Sequence, residues 1–200
     1  SSEIEYHDTW AQMVGEEGRG VRTIIDMVAH TRLDCTIGGA ALMRHAVAQA
    51  LHHCHRRAAF GKLLKDQPLM KNVLADLAVE SEAATTLMMR LARAYDDERK
   101  DPANGAFTRI ATAVSKYWVC KRVPHHVYEC LESHGGAGYV EESPMPRLYR
   151  EAPLTSIWEG SGNVMCLDVL RAMQREPDSV PAFLAELEKA RGGDPRLDKA

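Results

Sequence analysis

The chain has 200 residues, 45% of them apolar and 26% charged, with a net charge of −3 and a pI near 6.3. This is the composition of one ordinary globular domain, long enough to withdraw about 70% of its unfolded surface from water. The charge balance argues against a general affinity for nucleic acid or anionic lipid, and no apolar run approaches the ~20 residues of a membrane span.

Residues 3–7, Glu3-Ile4-Glu5-Tyr6-His7, alternate polar and apolar for one strand's length, and a glycine-rich turn follows at 13–20. Nothing downstream offers that strand a partner. From Val21 to about Arg57 apolar residues recur at helical steps (Ile24, Ile25, Val28, then Ile37, Leu42, Val47 and Leu51), which predicts a first long helix. Gly38-Gly39 inside it costs about 1 kcal/mol per glycine relative to alanine, so the pair marks a tight helix crossing or a ligand contact. Phe60-Gly61-Lys62 breaks the run. A second helix, about Gln67 to Glu98, carries Met70, Val73, Leu74, Leu77, Ala84, Leu87, Met88, Leu91 and Tyr95 on one stripe. Asp101 to Gly105 reads as a turn. A third helix is predicted over about Ala106 to Ser133, with Pro124 inside it, a fourth over about Ser161 to Gln174, and a short one over Ala182 to Ala190.

Long helices joined by short turns must lie antiparallel. The expected fold is all-α, an antiparallel up-and-down four-helix bundle over residues 21–175, with 1–20 as a leading linker and 176–200 as a short helix and frayed tail. Five widely spaced cysteines without a C-x-x-C pair suggest reduced thiols in a cytoplasm, not disulfides or zinc. The opening Ser1-Ser2-Glu3 shows no signal peptide and reads as the inside of a longer protein.

Residues 131–171 look built for a site. Gly135, Gly136 and Gly138 let backbone approach a ligand closely, or merely stop a helix; Glu159 stands where a helix begins, as a cap or as a working acid. His52 and His55 share a helix face but lack a third ligand, and His125-His126 reads as helix surface. Arg57 is either a surface arginine or a ligand contact.

Several motifs in one order carry a resemblance: Thr31-Arg32; Arg57-Ala58-Ala59-Phe60-Gly61-Lys62 with Gln67; Gly135-Gly136-Ala137-Gly138-Tyr139; Arg147-Leu148-Tyr149-Arg150-Glu151; and Ile157-Trp158-Glu159-Gly160-Ser161. Together they resemble the carboxy-terminal helical domain of the acyl-CoA dehydrogenases over residues 3 to about 173. The runs 140–151 and 156–171 look closest to the alkylation-response (AidB-like) branch. The resemblance implies a parent flavoprotein in which FAD lies between this bundle, a middle β-domain and an amino-terminal helical domain, residues 1–20 being the last of the β-domain.

It also implies roles. Glu159 is the base that takes the pro-R α-proton of an acyl-CoA while a β-hydride passes to the flavin, and Arg32 is its neighbour; the other base position of the family is here Thr31, which cannot serve. Arg57, Phe60, Gly135 and Gly136 reach the FAD of a neighbouring subunit, joined by Gln67, Ser161 and Asn163. Gln67 comes seven residues after Phe60 where the family's glutamine comes eight after, and Asn163 stands for a longer glutamine. Trp158 and Gly160 line the substrate channel, and Trp158 in place of the usual tyrosine points to a weak or non-standard dehydrogenase. Implied partners are an acyl-CoA, further copies of the chain in a dimer or tetramer, and an electron-transfer flavoprotein as acceptor. The alkylation-response branch implies a DNA-associated protective flavoprotein as the alternative, although residues 171–200 hold six basic and six acidic residues and form no basic patch. The 200-residue chain by itself is expected to be inactive and to bind FAD weakly or not at all.

Overall fold

The computed structural model describes residues 2–196 and 198–199. Among the described residues no regular element precedes Gly20, so residues 3–7 do not form the strand that their alternation suggests. A strand needs a neighbour to take its main-chain hydrogen bonds, and a helical bundle supplies none.

Four long helices follow: α1 (Gly20–Cys54), α2 (Pro68–Asp97), α3 (Pro102–Glu132) and, after two short helices, α6 (Gly162–Arg175). A two-residue hairpin, β1 (Ala58–Ala59) and β2 (Lys62–Leu63), links α1 to α2. Between α3 and α6 lie α4 (Gly136–Tyr139), α5 (Met145–Glu151) and a 3-10 turn at Leu154–Ser156, and α7 (Ser179–Glu188) follows α6. The architecture is the antiparallel bundle expected, with predicted helix bounds displaced by a few residues. The largest displacement is at α3, where Asp101 caps the helix by accepting from the Ala103 amide at 3.0 Å and Pro102 takes the first position. Asp-Pro is as good a helix start as a turn.

α3 is the central element, packed against α1, α2, α5, α6 and α7. It is buried almost all round its middle, from Phe107 through Ala111, Ala113, Lys116, Val119, Cys120, Val123 and Val127 to Cys130. Gly39 of α1 makes the closest approach: a Cβ there would lie 3.0 Å from Val119 Cγ1 and 3.2 Å from Val123 Cγ2. Its neighbour Gly38 has only Thr155 Cγ2, at 4.0 Å. The pair therefore marks a helix crossing, and one glycine makes it.

A second cluster (Leu33, Leu91, Ala94, Phe107 and Ala111) receives α7 through Ala182 and Phe183. α7 is fastened by Arg90, whose Nε and Nη2 donate to the two carboxylate oxygens of Glu186 at 2.6 and 2.7 Å, and whose guanidinium lies 4.5 Å from the Phe107 ring centre. The bidentate Arg90 bonds pull the Glu186 carboxyl down to about 2, and Lys189 adds to the pull.

Two outcomes are expected. Gly38→Ala should raise the unfolding free energy from urea titration by up to about 1 kcal/mol through helix propensity, whereas Gly39→Leu should lower it by about 1–3 kcal/mol through overpacking. A carboxylate whose folded value is depressed contributes stability above its unfolded value and loses it as pH falls through the folded one. The thermal-midpoint advantage of the native protein over Arg90→Met should thus be complete above about pH 4.5 and shrink towards about pH 2.

Candidate functional site

The segment joining α5 to α6 folds around two consecutive residues with left-handed backbone, Glu159 (φ 57°) and Gly160 (φ 100°). The glycine is required, because a Cβ there would meet Met165 Cε at 2.8 Å and Val164 Cγ1 at 3.0 Å. Glu159 is the unusual member, since left-handed backbone strains a residue with a side chain by about 1–2 kcal/mol.

Donors from α1 and α3 hold this turn. Thr31 Oγ1 lies 2.8 Å from Glu159 Oε2, and Arg32 Nε donates to the Glu159 carbonyl at 3.1 Å. Lys116 Nζ donates to the carbonyls of Gly160 at 2.8 Å and Thr155 at 3.2 Å. The Glu159 carboxylate therefore faces Thr31 and caps nothing; Ser161 occupies the N-cap of α6 without a side-chain bond. Among the described residues Glu159 makes no ion pair. Arg32 is brought to Glu159 as expected, but it grips the main chain and gives its charge to Asp168 at 2.8 Å. Asp168 also accepts from Arg109 at 3.3 Å, and Arg109 in turn reaches Glu176 at 2.8 Å.

Trp158 and Gly160 flank the acid, with Trp158 51% exposed. Ser161 and Asn163 are exposed at the start of α6. A cleft of about 710 Å³ runs beside Arg32 between α1, α2, α3 and α6, lined by Val28, Tyr95, Thr112, Val164, Leu167 and Asp168 among others.

Arg57, Phe60 and Gln67 gather elsewhere. Phe60 (φ 54°) and Gly61 (φ 78°) are the central residues of the hairpin turn, both with the positive φ of a type I′ turn, and Phe60 is 99% exposed at its tip. Gln67 Nε2 donates to the Ala59 carbonyl at 3.0 Å and braces the hairpin. Gly135 (φ 60°) and Gly136 present open surface at the end of α3, while Gly138 is confined by the Leu131 carbonyl, 2.4 Å from where its Cβ would stand. The rings of His53 and His134, 4.8 Å apart, show that the hairpin end of α1 and the glycine turn lie side by side. From Thr31 to His53 along α1 is about 33 Å, so the two groups of residues lie far apart along the bundle.

Sequence reasoning missed three residues of the acid's surroundings: Thr31, set aside because it cannot be a base, Asp168, and Lys116. Lys116 had a readable signal, a lysine four and seven positions before the apolar Cys120 and Val123, on the buried stripe. His126 is also corrected: it is buried, with Nε2 3.0 Å from the Leu77 carbonyl, because α3 is covered on that side by α2. Among the described residues no group of His, Cys, Asp and Glu could hold a metal, and no helix is long and apolar enough to cross a membrane.

The helical domain has known relatives. The family profile described as acyl-CoA dehydrogenase, C-terminal domain, matches residues 18–174. The putative acyl-CoA dehydrogenase AidB of Escherichia coli is 44% identical over all 200 residues, which cover 37% of that protein. The Bd2924 apo-form superposes with a TM-score of 0.84 at 32% identity, over 94% of this chain and 38% of that one. Caenorhabditis elegans ACDH-11 in complex with C11-CoA gives 0.85 at 30% identity, over 93% and 32%. The chain thus spans about a third of the length of these relatives.

The ion-pair chain makes an ordered prediction. Asp168→Ala leaves Arg32 and half of Arg109 without their acceptor and should cost about 3 kcal/mol, a fall in Tm of roughly 6–12 °C. Arg109→Ala leaves Asp168 paired with Arg32 and should cost about 1 kcal/mol, read by calorimetry on the same scale.

Proposed function

The chain belongs to the acyl-CoA dehydrogenase family through its carboxy-terminal domain, and from that premise we propose that its parent protein desaturates an acyl-CoA between Cα and Cβ with Glu159 as the base. One observation carries the reading: a carboxylate that makes no ion pair among the described residues, held on a strained turn by donors that bind its main chain and by a single hydroxyl. A base must be free to take a proton and fixed in place while it does so. Glu159 meets both demands.

FAD is the cofactor of this reading, and the residues at the hairpin end fit it. Phe60 is held outward by a rigid turn as a flat apolar surface, Arg57 beside it is exposed and cationic, and Gly135 and Gly136 leave their surface open. Arg57, Phe60, Gly135 and Gly136 would hold the dinucleotide of a neighbouring subunit. Ser161 and Asn163 would approach it from the start of α6, and Gln67 would act by bracing the hairpin. When bound, FAD supplies the acceptor for the hydride leaving Cβ. Glu159 takes the α-proton on a carboxylate oxygen, and the electron pair of that C–H bond becomes the new π bond. Arg32 keeps the Glu159 carbonyl turned away from the reacting atoms, and Trp158 narrows the approach to the acid.

The reading makes the parent a homo-oligomer, because the two sites of one chain serve two different flavins, and it makes an electron-transfer flavoprotein a fitting acceptor. The exposed apolar residues Leu167, Leu170 and Met173 of α6 support burial in a larger assembly. A second reading, a DNA-associated protective flavoprotein with weak dehydrogenation, is favoured by the 44% identity to AidB along the entire chain and by Trp158 beside the acid.

The test uses full-length protein loaded with FAD and mixed anaerobically with acyl-CoAs of graded length, following flavin bleaching. Glu159→Gln should slow bleaching by about 10²–10⁴-fold, the usual worth of a positioned base; undiminished turnover sinks the role. If the native protein bleaches poorly with every thioester yet binds duplex DNA with a steep salt dependence, the second reading stands instead.

A further inference from the structure

Lys116 is 1% exposed, among the most deeply buried large side chains of the protein. Burying an ammonium is costly unless hydrogen bonds replace its water, and among the described residues no carboxylate lies within ion-pair distance of it. Its bonds go to two main-chain carbonyls, Thr155 and Gly160, and these bracket the segment that ends in Glu159. Burial pushes the ammonium below its ordinary range, Arg32 acts in the same direction, and Cys35, Cys120 and Glu159 oppose. A lysine serving only to fill space would be replaced at lower cost by methionine or leucine. What an apolar side chain cannot do is close a ring from α3 through both ends of the acid-bearing turn.

The geometry points to Lys116 as the positioning residue of the base. Its ammonium ties the Gly160 carbonyl, one residue after Glu159, to the Thr155 carbonyl, four residues before it, and so fixes the left-handed turn from which the carboxylate leaves the main chain. Arg32 acts on the Glu159 carbonyl from α1, on the other side of the same turn. Thr31 then meets a carboxylate already delivered to it. Without Lys116, Arg32 is the one side chain among the described residues still bonded to a carbonyl of the turn, and residues 156–160 are free to relax the strain at Glu159 by rotating its side chain away from Thr31. This inference rests on Glu159 being the base.

The test compares full-length, FAD-loaded native protein with Lys116→Met, which keeps length and apolar packing and removes every donor. Stopped-flow flavin reduction by butyryl-CoA and octanoyl-CoA gives the rate per flavin, and the spectral perturbation on mixing gives the Kd of each thioester. The expected result is a reduction rate lower by about 30-fold or more with Kd changed by less than about threefold, since misplacement by an ångström costs rate far more than binding. A strut without a positioning role would lower Tm and FAD content and leave the rate per flavin unchanged, and that outcome overturns the inference. If Lys116→Met yields no FAD-loaded protein, Lys116→Gln, which keeps one neutral donor group, is measured in its place against the same criteria. Glu159→Gln is run in parallel to separate the two ideas. Retained reduction in Glu159→Gln removes the base itself, whereas lost reduction there with a native rate in Lys116→Met removes only the role of Lys116.

Discussion

The turn at residues 155–160 keeps its shape because donors from two helices, far apart in sequence, reach its carbonyls at once. Arg32 and Lys116 each bring a charge out of water to bind main-chain oxygen, and Glu159 adds the strain of a left-handed backbone. Such an arrangement persists only where the surroundings over-determine it. Here they do so through the crossing of α1 and α3. Gly39 lets the helices approach until Val119 and Val123 touch it, and Lys116 lies one turn before Val119 on the same face. The close crossing therefore sets how far the Lys116 ammonium reaches beyond α1, and hence where the acid sits.

The same two helices explain the division of labour along the molecule. α1 and α3 are both antiparallel to α2 and so parallel to one another, which places their carboxy-terminal ends together. The hairpin after α1 and the glycine turn after α3 are thereby neighbours, as the His53–His134 contact shows. The acid lies about 33 Å back along α1, far beyond the reach of one small ligand that also touches Phe60. In the proposed reading, one end of such a protomer would meet a neighbour's cofactor and the other would serve its own chemistry, which makes the bundle a connector as much as a scaffold.

How much of this could be read beforehand follows from the range of each interaction. The α2 stripe from Met70 to Tyr95 was legible because burial on one face repeats locally every three or four residues. α3 offers no such stripe, with Ala111, Ala113 and Cys120 buried on different sides and Tyr117 exposed, because a helix covered on nearly all sides loses its periodicity. The brief α4 and α5 were invisible, being held by tertiary packing such as the burial of Met145 and Leu148 and not by propensity. Glu159 and its glycine could be singled out from the local motif. Thr31, Lys116 and Asp168 could not be joined to it, since the bonds concerned span 128 residues from Thr31 and 44 from Lys116 to the turn, and Asp168 is reached only through Arg32. Long-range polar contacts leave no periodic trace.

The Thr31 hydroxyl sits between two acceptors. It has a single proton and two oxygen neighbours, Glu159 Oε2 at 2.8 Å and the Val28 carbonyl at 3.1 Å. Facing a carboxylate, the hydroxyl donates to it, and the charge makes that the stronger of the two bonds. Once Glu159 holds a proton the direction reverses: the carboxyl donates to Thr31 Oγ1, whose own proton turns to Val28. Neither state leaves a buried donor or acceptor unpartnered, so gaining a proton costs the site no hydrogen bond. A second carboxylate at position 31 would have repelled the first, and an alanine would have left it unsupported. If Glu159 is the base, as proposed, threonine at position 31 is the residue type that supports it both with and without the proton.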